Sequence, residues 1–266
     1  MTMIAYWKNR TKEIVRAVAP THWRFERAAR LFAEEGEREV KVLAQLVEPG
    51  TVALDVGANM GGYTYALCQH VGDGGRVIAV EPVPHLAHLI ERATHRLKLP
   101  VTVLNCALSS EEGTAELHVP VEDGAEKPAF ASLESSKETM SGHTIRVPLR
   151  RLDDVCRDVS GRISFIKIDV EGHELAVLRG GIDTLRRTKP NLLIEIEQRH
   201  SRVPIANTFA FTASLGYRGE FLDADGQFHP LGQFDPAVHQ RPERAGKDDY
   251  VANFVFRASD RPEGAR

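Results

Sequence analysis

Cysteine is sparse and scattered in this chain: Cys68, Cys106 and Cys156 stand far apart among 266 residues. No C-x-x-C pair exists, which argues against a structural zinc site. An odd, sparse count fits a reduced cytoplasmic protein. Long hydrophobic runs are missing as well. No apolar stretch approaches the roughly 18 residues that a membrane-spanning helix needs. The first residues lack the apolar core of a signal peptide, so stable membrane insertion is not expected. Nor is there a large excess of one charge: a net charge of −3 carries no global footprint of a nucleic-acid partner. The chain has no internal repeat, no G-x-G-x-x-G fingerprint and no N-P-P-Y motif for ring-amine chemistry. Nothing in it speaks to oligomeric state.

The remaining composition, 42% hydrophobic and 27% charged, supports one sizeable core. Residues 1–48 read as an N-terminal helical extension. Phe25, Ala28, Ala29 and Phe32, then Val40, Leu43, Leu46 and Val47, recur at helical spacing. Residues 4–18, mildly amphipathic and basic, are expected to pack on the domain. The main domain spans 49–258, followed by a flexible tail over 259–266. Strands are expected at 52–56, 76–80, 101–104, 163–168 and 191–196. Helices are expected at 62–70, 84–97, 153–159, 174–181 and 205–215, with a further piece before Pro190. This strand–helix alternation predicts a parallel sheet covered on both faces. The rhythm changes at 116–119 and 144–149, which read as an antiparallel excursion with a polar flap over 122–142. A closing strand pair, 217–222 and 251–256, is joined by a polar loop over 223–249.

Chemistry gathers first around Asp55-Val56-Gly57-Ala58-Asn59-Met60-Gly61-Gly62. An apolar strand ends in an acid, and a glycine turn leads into a helix. That is how a Rossmann-type sheet opens a small-molecule site. A carboxylate at Asp55 would repel a pyrophosphate but tolerate a cationic amine or sulfonium. Gly57 and Gly61 are spaced G-x-x-x-G and suit close ligand approach. Asn59 either offers an amide to the ligand or holds the turn. Glu81 ends the second strand, roughly 20 residues past the glycine turn, where an acid meets a ribose diol. The other reading of Glu81 is a helix-capping acid. Asn105, ending the third strand, either meets an adenine edge or caps a turn.

A second group is Ile166-Lys167-Ile168-Asp169-Val170-Glu171-Gly172-His173-Glu174. Strand alternation puts Lys167 and Asp169 on one face, with Ile166 and Ile168 on the other. Asp169 ends the strand next to strand one, and strand five brings Glu195 to the same edge. Such a charge cluster in a buried parallel strand is costly without a role. His200, His229 and His239 read as isolated surface or satisfied histidines, the last two within reach of a substrate from the late loop.

The chain resembles the FkbM family of S-adenosylmethionine (SAM)-dependent methyltransferases. The resemblance is carried by the Asp55–Thr64 stretch, Val80-Glu81-Pro82-Val83-Pro84, Ala107-Leu108-Ser109 and Leu152-Asp153-Asp154. It continues in Ile166 to Glu174, Val177-Leu178-Arg179-Gly180 and Pro190 to Glu195, with Ala131-Ser132-Leu133 as a short motif inside the flap. Val80 stands where the family often has Phe. The resemblance implies a class I methyltransferase fold, Rossmann-like, with a seven-stranded mostly parallel sheet. It also implies SAM as cofactor and O-methylation of a hydroxyl on a sugar or natural product.

Methyl transfer is an in-line displacement, so the protein mainly supplies positioning. An aliphatic hydroxyl gains from a general base. Asp169 or Glu195 is the expected base, with Lys167 orienting it and His173 next in line. A divalent cation on Asp169, Glu171 and Glu195 is an alternative that no spacing demands, and no metal site is predicted. The rivals are an NAD-dependent oxidoreductase, a non-catalytic SAM- or nucleoside-binding protein, and a nucleic-acid methyltransferase. A small-molecule or saccharide acceptor is expected to meet the flap, the late loop and the N-terminal helices.

Overall fold

A computed structural model describes residues 27, 32, 38–122, 124–134, 141–245, 247 and 249–259. Apart from residues 27 and 32, the helices expected before residue 38, including 4–18, and the tail from 260 lie outside the described residues. The described part of the extension is a 3-10 helix, Arg38–Gln45, whose Val40, Val42 and Leu43 are buried.

Five parallel strands carry the fold: β1 (Val52–Val56), β2 (Arg76–Val80), β3 (Val101–Leu104), β8 (Ile163–Ile168) and β9 (Asn191–Glu195). β10 (Tyr217–Leu222), β11 (Phe228–Pro230) and β12 (Asn253–Ala258) extend the sheet antiparallel. The order is β11-β10-β12-β9-β8-β1-β2-β3. The α/β class expected from the alternating pattern is therefore borne out, with eight strands in place of seven. The extra strand, β11, comes from the loop expected over 223–249, and pairs with β10 at the sheet edge.

Strand alternation divides the core between two faces. Leu54, Val56, Ile166, Ile168 and Leu192 point to one side and pack with Leu152, Val177, Leu178 and Leu185. These come from α3 (Leu152–Cys156), α4 (Glu174–Arg179) and α5 (Ile182–Thr188). Ala53, Phe165 and Leu193 point to the other side, against Tyr63, Ala66 and Leu67 of α1 (Gly62–Val71) and Leu43 of the 3-10 helix. Both faces of the central strands are dry, which is why these strands read as continuous apolar runs. α2 (Pro84–Arg96) packs beside β3, and α6 (Ala206–Ser214) lies against β10. The late loop also holds the single-turn α7 (Pro236–His239).

The excursion after β3 is a second sheet of four strands, in the order β4-β7-β5-β6. Its strands are β4 (Ala107–Leu108), β5 (Gly113–Glu122), β6 (Ala125–Glu126) and β7 (Gly142–Arg150). β5 and β7 pair antiparallel from Gly113↔Leu149 to Pro120↔Gly142, longer than the two short strands expected there. Ser132 rejoins this sheet through an isolated bridge to His118, so the flap folds back over the carboxyl ends of the parallel strands.

Candidate active site

A crevice opens where the carboxyl ends of β1, β2 and β8 face the second sheet. Its walls include Gly57 and Asn59 from the β1 exit, Glu81 and Pro82 from β2, and Asp169, Glu171 and His173 from β8. Ala107 and Leu108 of β4, with Ala131 and Leu133 of the flap, close the far side. Among the described residues that line it there are three carboxylates and one imidazole, and no lysine or arginine. Such a wall repels the pyrophosphate of a dinucleotide and attracts a cationic ligand.

The β1 exit is shaped by its backbone. Gly57 N–H and Ala58 N–H both donate to Val80 O, at 2.9 and 3.0 Å, tying the loop to β2. Gly57 has φ +81°, and a Cβ there would lie 1.8 Å from Asp169 O. Glycine is thus required by the backbone and by the neighbouring β8 exit, a reason that ligand approach alone did not supply. Gly61, at φ +78°, caps the start of α1. Asn59 is itself left-handed at φ +49°.

Glu81 is buried and doubly held. Asn59 N–H donates to Oε2 at 2.7 Å and Val83 N–H to Oε1 at 2.8 Å. Burial pushes its carboxyl up to about 7, against the lowering effect of those two amides. Each oxygen keeps a lone pair for a further donor, as a diol requires. Asn105 donates through Nδ2 to Glu81 O at 2.8 Å and Pro82 O at 3.0 Å. Its amide nitrogen therefore holds the β2 exit, the turn-capping alternative, and only the side-chain oxygen is left for a ligand.

Asp55 does not reach the crevice wall. It is wholly buried, and Thr64 Oγ1 donates to its Oδ2 at 2.6 Å. Its Oδ1 has no hydrogen-bond partner among the described residues. Burial raises its pKa, with Lys167 and Thr64 opposing. Lys167, equally buried, donates to Asp169 Oδ2 at 2.7 Å and lies 4.4 Å from the centre of the Tyr63 ring. Burial opposes its charge, but Asp169, Asp55 and Glu195 outweigh that and hold the ammonium above its ordinary range. Lys167 thus stays charged and cannot act as a base at neutral pH.

Glu195 ends β9, the strand paired with β8, and is not among the described crevice-lining residues. Burial first, and then the Asp169 charge, raise it well above the usual carboxylate range. Glu171, left-handed at φ +53°, is engaged by His200, whose Nδ1 lies 2.6 Å from its Oε2. Among the described residues no group of three or more His, Cys, Asp or Glu side chains is arranged to hold a metal ion. His200, expected to be isolated, is instead paired with a carboxylate of the crevice wall. His229 is satisfied by Asp223 at 2.7 Å, and His239 Nδ1 accepts from Asp235 N–H at 3.0 Å. Neither is among the described residues lining the crevice.

Three residues escaped the sequence reading. Thr64 holds Asp55. Ser109 and Glu134 hold His173 from either side, at 2.9 and 2.7 Å. Ser109 and the flap around Glu134 stood inside or beside the stretches that carry the family resemblance, the one signal that pointed to them.

Residues 55–219 match the Methyltransferase FkbM domain. The chain belongs to the FkbM methyltransferase domain family. The FkbM match begins at Asp55, takes in the crevice and the flap, and ends within the first strand of the closing pair. The chain is similar to the 2-O-methyltransferase NoeI of Sinorhizobium fredii, 28% identical over 159 residues, covering 56% of this chain and 65% of NoeI. It is also similar to the methyltransferase sdnD of Sordaria araneosa, 30% identical over 153 residues, covering 48% of this chain and 59% of sdnD. The chain thus spans less than two thirds of the length of either relative. Among solved structures it is similar to an FkbM methyltransferase from Methylobacillus flagellatus, with 17% identity and a TM-score of 0.48. That likeness covers 92% of this chain and 60% of the other.

Proposed function

We propose that this chain is a SAM-dependent O-methyltransferase acting on a hydroxyl of a small-molecule or saccharide acceptor. The observation that carries this reading is the acid-walled crevice with Glu81 at its β2 edge, in a chain of the FkbM methyltransferase domain family. The relative NoeI, a 2-O-methyltransferase, favours oxygen as the methylated atom. The residues present fit SAM: Glu81 has free lone pairs for a ribose diol, and the buried Asp55 has an orphaned oxygen behind the wall. SAM supplies an electrophilic methyl on a sulfonium; the protein's own task is to bind and orient.

In this reading Glu81 receives the ribose, with Asn59 N–H holding its carboxylate in place. Gly57 and Gly61 shape the turn beneath the ligand, and the side-chain oxygen of Asn105 is left for the base. Asp55 contributes negative charge from behind the wall. Asp169, paired with Lys167, is a carboxylate on the crevice wall that can accept a hydrogen bond from the acceptor hydroxyl and aim it. Glu195, on the neighbouring strand, adds its charge to that pair. No metal is assigned a role.

Residues 49–258 are the proposed methyltransferase unit, with 1–48 as an extension and 259–266 as a tail. The flap and the 223–249 segment are the proposed acceptor contacts. A reducing cytoplasmic setting agrees with three buried free cysteines. No described helix is long and apolar enough to cross a membrane, and nucleic acid is not a proposed partner.

Calorimetric titration with SAM and, separately, with NADH tests the reading, each with and without Mg²⁺. SAM binding that is weakened by Glu81→Ala supports it. Preference for NADH, or SAM affinity unchanged in Glu81→Ala, overturns it.

A further inference from the structure

Three segments far apart in sequence meet at the imidazole of His173. Glu134, at the end of the described flap, brings Oε1 to 2.7 Å from Nδ1. Ser109, just past β4, brings Oγ to 2.9 Å from Nε2. The hydrogen bond with His173 is the largest cause holding the Glu134 carboxyl below its usual range, so Glu134 is ionised and can only accept. The proton of the neutral ring then sits on Nδ1. Nε2 is left as a base, and the Ser109 hydroxyl donates to it.

This constellation is more than a tether for the flap. Ser132 already docks the flap, its Oγ donating to Glu171 O at 2.7 Å. Ser132 Oγ also accepts from Glu134 N–H at 3.0 Å, which places the Glu134 side chain. The ring adds to that docking a polarised nitrogen on a residue of the crevice wall, four positions past Asp169.

We propose that His173 is the general base of the transfer, accepting the acceptor's proton at Nε2, and that Glu134 is the positioning residue that fixes its tautomer. The proposal rests on the methyltransferase reading above and assigns to His173 the proton transfer for which Asp169 and Glu195 were the first expectation. Asp169, neutralised by Lys167, keeps the aiming role. As the acceptor hydroxyl takes the place of Ser109 at Nε2, its O–H bond breaks and the proton passes to that nitrogen. The electron pair left on oxygen forms the bond to the methyl carbon while the carbon–sulfur bond breaks, its electrons returning to sulfur. The imidazolium that results is paired with the Glu134 carboxylate. No other reactant is needed.

The test is ¹⁵N NMR of the full chain labelled at histidine, with SAM titration of the same samples. In the wild type the neutral His173 ring should appear as a single tautomer, protonated at Nδ1. Ser109→Ala should keep that tautomer. Glu134→Ala should lose it to a mixture, and Glu134→Gln, whose amide oxygen can still accept, should restore much of it. SAM affinity should stay at the wild-type value in all three variants, which also reports that they fold. A wild-type ring protonated at Nε2 overturns the proposal, and so does a tautomer indifferent to Glu134→Ala. Absence of SAM binding by the wild type is a separate failure, that of the methyltransferase reading itself.

Discussion

Lys167 stands directly opposite Asp55 in the parallel β1–β8 ladder. Both side chains are buried. Because side chains alternate along each strand, this register puts Asp55, Lys167 and Asp169 on the α1 face, below Tyr63 and Thr64. The ammonium is thus the counter-charge to acids on two neighbouring strands and, through Glu195, on a third. Each charge in such an arrangement is costly alone and tolerable in company.

Removing the ammonium should therefore destabilise the fold strongly. Lys167→Met is expected to lower the unfolding free energy by about 3–5 kcal/mol, since it leaves buried acids without their partner. Urea unfolding measures it. A loss below about 1 kcal/mol, the range of exposed ion pairs, would mean that the cluster is hydrated and the buried pairing is not what holds it.

Ligand binding should move protons at Glu81. Its carboxyl, pushed up to about 7 by burial in the free protein, gains more from donors in its ionised form than when protonated. SAM binding is then expected to release protons near pH 6.5 and to tighten as pH rises through 7. Calorimetry in buffers of different ionisation enthalpy reads the release. Glu81→Gln should abolish it and cost roughly 10- to 100-fold in affinity, the worth of hydrogen bonds to a charged group.

Glu174 offers a pH signature in stability rather than in binding. It is buried, and burial raises its carboxyl to about 7 although Gly172 N–H donates to it at 2.8 Å. The folded value lies above the unfolded one, so its favourable contribution is complete below pH 4.5, the unfolded value, and is lost as pH rises through 7. Glu174→Gln should flatten the decline between those limits by about 3 kcal/mol at most. Thermal unfolding of the wild type and the variant across pH 4 to 8 checks this. A parallel decline in both would place the titration elsewhere.

Two glycines with the same φ of +81° provide a matched comparison. A Cβ on Gly57 would strike Asp169 O at 1.8 Å, whereas one on Gly74 meets nothing within 4 Å. Gly74→Ala should cost about 1 kcal/mol, the left-handed penalty alone. Gly57→Ala should cost at least about 3 kcal/mol, because the β1 and β8 exits must also part. Chemical denaturation of both variants separates backbone conformation from packing.

Local chemistry was enough to read most of the fold. Continuous apolar runs marked β1, β2, β8 and β9 because both sheet faces are dry, and Pro and Gly punctuated the helices between them. The alternation of Lys167 with Ile166 and Ile168 fixed their faces before any neighbour was known, since a strand has period two. The flap's extent and the eighth strand were not legible. β5, β7 and β11 are half-exposed and mixed in polarity, and such strands take their bounds from their partners.

The strand-end acids Asp55, Glu81 and Asp169 could be placed at one sheet edge from order alone, because parallel strands joined by helices bring their carboxyl ends together. Which of them face the crevice was a matter of depth and of distant neighbours. Thr64 and α1 enclose Asp55. His200 engages the Glu171 carboxylate, and Ser109 and Glu134 clasp His173 from opposite sides. These pairs are separated by 9 to 64 positions in the chain. No periodicity or turn rule links residues at such distances, so only the packed structure brings them within hydrogen-bond reach.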